Sequence, residues 1–433
     1  MTHNQRILAD RLLAVPVAFF FNGIARVLGK VLRRDHSIAS SNVRHIVVAK
    51  LIGMGSILQA TPLLKALKRK FPNATITFVT MRSNRELLSR LFYVDEVLVL
   101  DDRSLVRMGV STLHVIAALL WHRADLYFDL EVYSAFASLL ALWAVTRNRI
   151  GFYRHSVTFK RGIYTHLVYF NTRMAVRQLY FQLGRVVGVP PGEPDSIGPI
   201  RVDDQSRTTL RSFLSEAPQW QQGSSYIVVN PNASDLLLER RWPIESFAET
   251  LEQIVGNGYQ IALIGVRDER SYVQGLIDRL SPEASSHVVN TAGRLTLGEL
   301  FALLEGAACV LTNDTGPMHM SIALQRPTVC LFGPANPEHY GQDLDYVEIF
   351  YNKVFCSPCL YEADATPCHG NNICMQMIQP GPVADAVLRL ASYDSSGRDS
   401  RHEKYLSRLL PISDAPDGSP LGVVARTSLI RIE

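Results

Sequence analysis

Short apolar runs alternate with amphipathic segments along most of the chain beyond residue 43. The runs have the length of buried strands, and the segments between them have the period of helices that pack on a sheet. Strands that alternate with helices are joined by right-handed crossovers, so the pattern predicts a doubly wound parallel sheet in each half of the chain. The predicted strands are 45–49, 75–80, 96–100, 125–130, 226–230, 259–265, 309–311 and 328–332.

The stretch Cys309–Gly341 contains a strand, the turn Asn313–Pro317, a short helix and a second strand. Asp314 or Thr315 can cap this helix, and the N–H groups of Thr315 and Gly316 would point out of the carboxyl edge of the sheet. A helix start in that position binds anions, most often a diphosphate, although a capped helix start without a ligand has the same sequence. A second Gly-Pro turn follows the next strand and favours a pocket.

The loop Lys50–Ser56 follows the first predicted strand of the chain and contains Gly-Met-Gly. Ligands of open α/β sheets bind at this end of a strand, but Gly-x-Gly by itself indicates only a tight turn. Asp129 and Glu131 lie at the same end of the predicted strand 125–130. They are either catalytic carboxylates or solvated loop residues.

The motif Asn-Asp-Thr-Gly-Pro-Met-His at 313–319, followed by Leu-Phe-Gly-Pro-x-x-Pro at 331–337, resembles the heptosyltransferase-like glycosyltransferases. This family includes the lipopolysaccharide core heptosyltransferases, and the resemblance covers roughly residues 43–382. It implies an α/β protein of the GT-B fold, with two Rossmann-like doubly wound domains facing a cleft. It also implies inverting, metal-independent transfer of a sugar, heptose from ADP-heptose being one candidate, to a lipid-linked or other cell-envelope glycan such as lipopolysaccharide.

In the family the first loop ends in Gly-Asp, and that Asp is the proposed base for the acceptor hydroxyl. Ser56 stands at this position, and a serine hydroxyl cannot act as a carboxylate base near neutral pH. The resemblance therefore leaves three alternatives: another base, a loop that only positions substrate, or a protein that binds a nucleotide sugar without transferring it. The candidate bases are Glu131 and Asp129, followed by Asp101, Asp102 and His114.

The resemblance also implies the donor-binding residues of the second domain. Arg240, two residues before Trp242, matches a basic residue that approaches the donor diphosphate, or is a surface cation beside a helix start. Asp268 and Glu269 follow a strand, where a carboxylate can bind ribose hydroxyls or cap a helix. The donor set as a whole is Asn232, Ser234, Arg240, Asp268, Glu269, Asp314, Thr315, Gly316 and His319.

Four cysteines share one predicted loop: Cys356, Cys359, Cys368 and Cys374. Four thiols with this spacing can hold a structural zinc or iron ion or form two disulfides, and a cytosolic protein favours metal or free thiols. No cofactor is expected for catalysis itself. A dehydrogenase or epimerase would need a glycine-rich dinucleotide fingerprint, and none is evident in the sequence.

The amino end is the basic part of a chain whose net charge is only +4, which argues against a general nucleic-acid partner. Residues 1–34 carry six basic residues against Asp10 alone, and Leu12–Phe21 is too short an apolar run to span a bilayer. We therefore expect a helix that lies on the inner face of the membrane or packs on its own first domain. The predicted localisation is cytoplasmic and peripheral on the inner membrane.

The sequence divides into five predicted segments. Residues 153–188 read as a long helical connection with a basic face that could hold an anionic or lipid-linked acceptor. The predicted segments are a basic membrane-proximal part at 1–42, an acceptor domain at 43–200, a linker at 201–224, a donor domain at 225–392 and a loosely ordered tail at 393–433.

Overall fold

The computed structural model describes residues 10–32, 36–38, 43–192, 194–233, 237–360, 362–363, 365–392 and 423–425. The chain divides into two compact units. The first comprises residues 1–196 with 411–433, and the second comprises residues 197–410.

The first unit contains a parallel sheet, and three of its strands are buried at every residue or at all but the first, because they consist mainly of apolar and β-branched residues. Its parallel strands run in the order β6-β5-β4-β1-β2-β3. Their bounds are β1 His45–Ala49, β2 Thr75–Met81, β3 Glu96–Leu100, β4 Leu126–Asp129, β5 Asn148–Tyr153 and β6 His166–Tyr169.

Helices cover both faces of this sheet. A helical turn, Asp10–Ala14, leads into α1, and α1, α5 and α6 contribute to one apolar core on one face. The described helices are α1 Val15–Leu32, α2 Met54–Gln59, α3 Thr61–Lys70, α4 Arg85–Ser89, α5 Leu105–His122, α6 Ala135–Trp143 and α7 Val176–Arg185.

The second unit repeats the same topology, with strand order β12-β11-β10-β7-β8-β9. Its strands are β7 Tyr226–Asn230, β8 Gln260–Leu263, β9 Val288–Asn290, β10 Cys309–Asn313, β11 Thr328–Phe332 and β12 Val347–Tyr351. Its helices are α8 Asp204–Ser215, α9 Ile244–Gly256, α10 Arg270–Ile277, α11 Pro282–Ser285, α12 Leu297–Gly306, α13 Gly316–Ala323, α14 Pro337–Tyr340, α15 Ile373–Gln376 and α16 Pro380–Ala391.

Both strand orders are the doubly wound order of the Rossmann fold, so the predicted fold class is confirmed. Several local predictions need correction. The amphipathic segment 57–71 does not form one continuous helix but belongs to α2 and α3, because Pro62 has no N–H for the carbonyl of Leu58, which accepts instead from the Thr61 hydroxyl at 2.6 Å.

Two predicted connections also differ in the structure. The segment 153–188, read as a helical connection, contains strand β6, and the segment 201–224, read as a linker, contains helix α8 packed on α12. Helix α16 packs on α9 and β10 within the second unit. In the tail, Val423–Ala425 forms β13, antiparallel to β6, and the other tail residues lie outside the described part.

Two described helices are long and apolar enough to cross a membrane by length and composition alone. One is the stretch Leu12–Gly29, and the other is α5. The amino-terminal helix α1 packs on α6 of its own unit. Its inner side therefore follows the predicted alternative of a helix packed on the first domain. Its outer side carries exposed apolar residues.

Candidate active site

Ligands of doubly wound sheets bind at the point where the strand order reverses, beyond the carboxyl ends of the strands. In the first unit this switch point lies between β1 and β4, where Ala49 pairs with Asp129. In the second unit it lies between β7 and β10, where Asn230 pairs with Thr312. The candidate site residues of each unit therefore meet where the topology predicts a ligand.

Asp129 is enclosed at the first switch point. Its side chain and that of Lys160 have no exposed surface, and Lys160 Nζ lies 3.0 Å from Asp129 Oδ2. The Tyr164 hydroxyl donates to the same oxygen, and the backbone N–H of Glu131 donates to Oδ1 at 2.9 Å. Burial raises the pKa of Asp129, while the Lys160 charge opposes the shift. A carboxylate enclosed in this way has no surface to offer an acceptor sugar.

Glu131 lies next to this pair and holds the loop that leads to Ser56. Its Oε1 accepts hydrogen bonds from the backbone N–H groups of Leu51 at 2.8 Å and Ile52 at 3.2 Å, and it lies 2.8 Å from Lys50 Nζ. Burial acts to raise the pKa of Glu131, but the Lys50 charge and these hydrogen bonds outweigh it and lower the pKa. Glu131 is therefore held in its ionised form.

Ser56 is half-buried in α2, the helix that starts at this loop. Gly53 precedes α2 with φ +96°, a conformation that favours glycine and aims the chain into the helix. The remaining candidate bases lie elsewhere: Asp101 is paired with Arg103 at 2.6 Å, which depresses its pKa, and His114 is exposed on α5. Asp102 is buried after β3.

At the second switch point the motif Asn313–Gly316 turns from β10 into α13. Thr315 is the N-cap of α13, but its hydroxyl donates to the carbonyl of Asn313 at 3.2 Å and does not cap the helix. Asn230 Nδ2 donates to the Thr315 hydroxyl at 2.8 Å. The predicted side-chain cap at this helix start is thus wrong, and among the described residues the N-cap side chain leaves the N–H groups of the helix start uncapped.

Arg240 reaches this turn from the segment before Trp242. Its Nη1 donates to the carbonyl of Asp314 at 2.9 Å and lies 3.8 Å from Asp314 Oδ2. Trp242 fixes the segment, because its ring is fully buried and its backbone N–H donates to Asn313 Oδ1 at 3.3 Å. Arg240 is therefore in contact with this turn, Asn313–Gly316, which we call the β10 turn.

Burial shifts the pKa of both titratable groups beside Arg240. It raises the pKa of Asp314 to about 6, against the opposing charge of Arg240. It lowers the pKa of His319 to about 4, and the Arg240 charge adds to that shift. His319 is consequently neutral near pH 7, so Arg240 supplies the positive charge among these three residues.

Asn232 is buried beside the same turn. Its Nδ2 donates to the carbonyl of Ile264 at 2.9 Å, while its Oδ1 has no hydrogen-bond partner among the described residues. A buried carbonyl oxygen without a donor is costly, so Asn232 Oδ1 fits a ligand hydroxyl or amino group. Ser234, predicted as its neighbour in the donor set, lies outside the described residues.

Asp268 and Glu269 occupy the turn after β8. Glu269 Oε2 accepts from the backbone N–H of Val266 at 2.8 Å, so this carboxylate caps the turn, as in the alternative interpretation of the sequence. Asp268 is exposed. Of the two, Asp268 remains the predicted ribose ligand.

The four loop cysteines are unpaired, and the predicted alternative of two disulfides does not appear in the structure. Burial raises the pKa of Cys359, and raises that of Cys374 to about 11. Among the described residues, one group of three or more metal-type ligand atoms lies within 4.8 Å of one another. It is His45, Glu96 and His122, at the amino ends of β1 and β3 in the first unit, and it contains none of the cysteines. The thiols thus do not form a ready ligand set, and the metal site stays a prediction.

Lys50, Lys160 and Tyr164 are site residues that the sequence does not predict. Lys50 directly follows β1 and could have been found as the residue opposite the β4 carboxylates. Lys160 lies in the segment read as a solvated basic face, although its neighbours Phe159 and Ile163 are apolar. Arg161 follows Lys160 directly, so the local sequence does not mark this lysine as buried.

Two parallel sheets with Rossmann order, and an uncapped helix start with a nearby arginine in the second, are typical of enzymes that use nucleotide-activated substrates. The family model for glycosyltransferase family 9 (heptosyltransferase) matches residues 116–369. This match covers more than half of the chain, so the protein belongs to that family.

Individual relatives agree with this assignment. The chain is 23% identical over 366 residues to lipopolysaccharide core heptosyltransferase OpsX of Haemophilus influenzae, covering 81% of this chain and 98% of that protein. It is 33% identical over 99 residues to lipopolysaccharide heptosyltransferase 2 of Escherichia coli, covering 23% of this chain and 28% of that protein. For the heptosyltransferase 2 proteins of three species, the match spans less than a third of their length.

Solved structures share the fold. A glycosyl transferase family 9 protein from Veillonella parvula superposes with a TM-score of 0.68 at 22% identity, covering 82% of this chain and 99% of that one. The ADP-heptose lps heptosyltransferase II of E. coli superposes with a TM-score of 0.66 at 20% identity, covering 80% and 98%. The chain therefore has the GT-B fold of these proteins.

Proposed function

We propose that this protein is an inverting glycosyltransferase that moves a sugar from a nucleotide diphosphate donor to a cell-envelope glycan. Heptose from ADP-heptose and lipopolysaccharide core are the donor and acceptor that the names of its relatives favour. The observation that carries the proposal is the β10 turn of the second unit, where Arg240 contacts Asp314 beside a helix start without a side-chain cap.

The β10 turn fits a diphosphate for electrostatic reasons. Negative charge develops on the diphosphate as the glycosidic bond to the sugar breaks, and Arg240 together with the α13 helix start supplies positive potential there. This arrangement replaces the metal ion that other glycosyltransferases use, so we propose a metal-independent reaction. Asn232 Oδ1 and Asp268 would then accept hydrogen bonds from hydroxyl or amino groups of the nucleoside or sugar.

In the first unit we propose Glu131 as the base. The acceptor hydroxyl attacks the anomeric carbon, its proton moves to Glu131, and the nucleotide diphosphate leaves. Glu131 is ionised, and its Oε2 accepts no hydrogen bond from the described residues, whereas Oε1 accepts two and pairs with Lys50. Asp129 and Lys160 are positioning residues, and Ser56 contacts the acceptor without removing its proton.

A transfer assay tests the proposed reaction. The protein is incubated with ADP-heptose and deacylated lipopolysaccharide core, and mass spectrometry follows the acceptor while released ADP is measured. We expect one heptosyl unit on the acceptor, with the anomeric configuration inverted by NMR. If no donor from a panel of nucleotide sugars is consumed and none binds, the proposal is wrong.

Glu131→Gln tests the base, because glutamine can still accept from Leu51 and Ile52 but cannot take a proton. We expect kcat to fall about 10²- to 10⁴-fold while donor affinity is retained. Unchanged kcat in Glu131→Gln would exclude Glu131 and leave Asp102 or His114.

The second candidate function is a nucleotide-sugar binding protein without turnover. Ser56 favours it, because the family's carboxylate is missing there. Donor binding by calorimetry with no transfer to any acceptor fraction would support it.

We also propose that the protein acts at the cytoplasmic face of the inner membrane, where a lipid-linked acceptor would be found. The basic residues of the amino end and the exposed apolar side of α1 support this location.

A further inference from the structure

The outer side of α5 is an apolar surface that no described element of the fold covers. Trp121 is 86% exposed, Val106 76% and Leu113 69%. Together with Val110 and Leu120, these residues are three, four or seven positions apart, with Leu120 and Trp121 adjacent, so they form one stripe along the helix. We call this stripe, Val106, Val110, Leu113, Leu120 and Trp121, the α5 stripe.

α5 cannot cross a membrane, although it passes the test of length and composition. The helix connects β3 to β4, and both strands are paired within the parallel sheet. Its inner side contributes Val115 and Leu119 to the core. Insertion across a bilayer would dismantle that sheet, so the α5 stripe is a surface of the folded unit.

The amino-terminal helix is fixed on the same face of the sheet. The carboxylate of Asp10 accepts from the backbone N–H groups of Ala135 at 3.0 Å and Phe136 at 2.8 Å, at the start of α6. Further along, Asn22 Oδ1 accepts from the N–H of Gly162, where a Cβ atom would lie 2.2 Å from that oxygen. α1 therefore lies along the unit.

The outer side of α1 carries a second apolar stripe, which we call the α1 stripe. Its residues are Leu13, Val17, Phe20, Ile24, Val27 and Val31. The α1 and α5 helices pack into one core on one face of the sheet, so both stripes belong to that side of the first unit. An exposed apolar area of this kind marks an interaction surface.

The charges beside the stripes indicate the partner. α5 contains no acidic residue, and exposed Arg107 and Arg123 lie in its first turn and directly after its end. Arg26 is exposed on α1, and the one acidic residue at the amino end, Asp10, is turned inward onto α6. Apolar stripes flanked by basic residues, with a tryptophan at one end, match the interface of an anionic bilayer.

We propose that the α5 stripe is a membrane-contacting surface that acts together with the α1 stripe, so that the first unit lies on an anionic lipid surface through two helices parallel to the membrane plane. This goes beyond attachment by the amino end alone. It rests on the proposed membrane location but not on the transfer reaction, so each can fail without the other.

The test uses the full chain and vesicles of phosphatidylethanolamine and phosphatidylglycerol, with sedimentation to measure partitioning. Leu113→Glu with Trp121→Glu should weaken partitioning at least about tenfold, because two apolar side chains lose their burial in lipid. The matched control is Phe355→Glu with Val266→Glu, which adds the same two charges at residues of the second unit that are 97% and 63% exposed and should leave partitioning unchanged. All substituted residues are exposed, and unchanged melting temperatures would verify that each variant is folded.

Fluorescence reports whether α5 itself enters the lipid. Brominated acyl chains should quench Trp121 in the wild-type protein, and Trp121→Phe should lose that quenching while still partitioning. Wild-type partitioning in the Leu113→Glu, Trp121→Glu protein, or no quenching of Trp121, would overturn the proposal. So would a lipid-free dimer that the same substitutions convert to a monomer, since the stripe would then bind a second copy of the chain.

Discussion

The two switch points of this protein share one topology and differ in how their charges are used. At the first, Asp129 and Lys160 form a fully buried ion pair at 3.0 Å. Glu131 and Lys50 form a second ion pair there at 2.8 Å, which is mostly buried. At the second, Arg240 and Asp314 are 3.8 Å apart. The first switch point is closed by its own side chains, which fix a loop, whereas the second keeps a looser pair beside an uncapped helix start.

A carboxylate at the ligand-binding edge of a sheet is not a catalytic group by its position alone. Asp129 lies at the carboxyl end of a strand, where a base is expected, but its two oxygens accept hydrogen bonds from Lys160, Tyr164 and a backbone N–H. Gly151 permits this closure, because a Cβ atom there would lie 2.8 Å from the Tyr164 ring. The position of a residue in the topology therefore identifies the ligand-binding edge, and the contacts of its side chain decide whether that residue can act as a base.

The largest expected effect is on stability at the first switch point. Asp129→Ala would leave Lys160 charged and buried without its partner, so the free energy of unfolding should fall by about 3–5 kcal/mol in urea titrations. The double variant Asp129→Leu with Lys160→Met removes both charges and should recover most of the loss.

Asp101→Ala is the matched control, since it breaks an ion pair that is exposed to solvent and should change stability little. A small loss in Asp129→Ala, similar to that of Asp101→Ala, would contradict the view that the first switch point is closed by a buried pair.

A smaller effect is expected from pH at the second switch point. The pKa of Asp314 is about 6 in the folded protein against 3.8 ordinarily, so Asp314 is neutral at pH 5 and ionised at pH 7.5. An ionised Asp314 repels a diphosphate, and donor affinity should therefore fall on the order of tenfold as pH rises through this range. Calorimetric titration of ADP at several pH values measures it.

Asp314→Asn is the control for this pH effect and should flatten the curve. Because the pKa of Asp314 is about 6 in the folded protein and 3.8 ordinarily, the folded state holds this proton more tightly than the unfolded chain does. The stability of the wild-type protein relative to Asp314→Asn should therefore be greatest below about pH 4 and should fall as the pH rises through about 6. A pH dependence of ADP binding that survives in Asp314→Asn would show that another group titrates.

The smallest expected effect concerns Ser56. If Glu131 is the base, Ser56→Asp adds a carboxylate to a site that already has one, and kcat should change by less than about threefold. An increase of tenfold or more in the transfer assay would instead mean that the site lacks a base and that Ser56 marks its position.

Much of the fold could be predicted because buried parallel strands are apolar along their whole length. Strands β1, β3, β7 and β11 begin and end at the predicted residues. Arg240 and Asp314, 74 residues apart, could be brought together in advance because the family motif and the strand edge agree.

The closure of the first switch point was not predictable in the same way. Lys160 comes from a segment without a clear period, and nothing in its local sequence says that it reaches Asp129, 31 residues earlier. The enclosure of Asp129 depends on Tyr164 and on strand β6, which the sequence analysis read as part of a helical connection. A long-range polar contact of this kind is set by tertiary packing and leaves little trace in a local pattern.

The central claim, that the second switch point binds the donor diphosphate, is tested most directly by calorimetry with ADP and adenosine on a pair of neighbouring arginine variants. Arg240→Ala removes the side chain at the β10 turn, whereas Arg241→Ala removes one that stacks on Tyr272 at 4.2 Å. We expect Arg240→Ala to weaken ADP binding by about 1.5–3 kcal/mol without affecting adenosine, and Arg241→Ala to change neither. Equal losses for ADP and adenosine, or equal losses in the two variants, would contradict the claim.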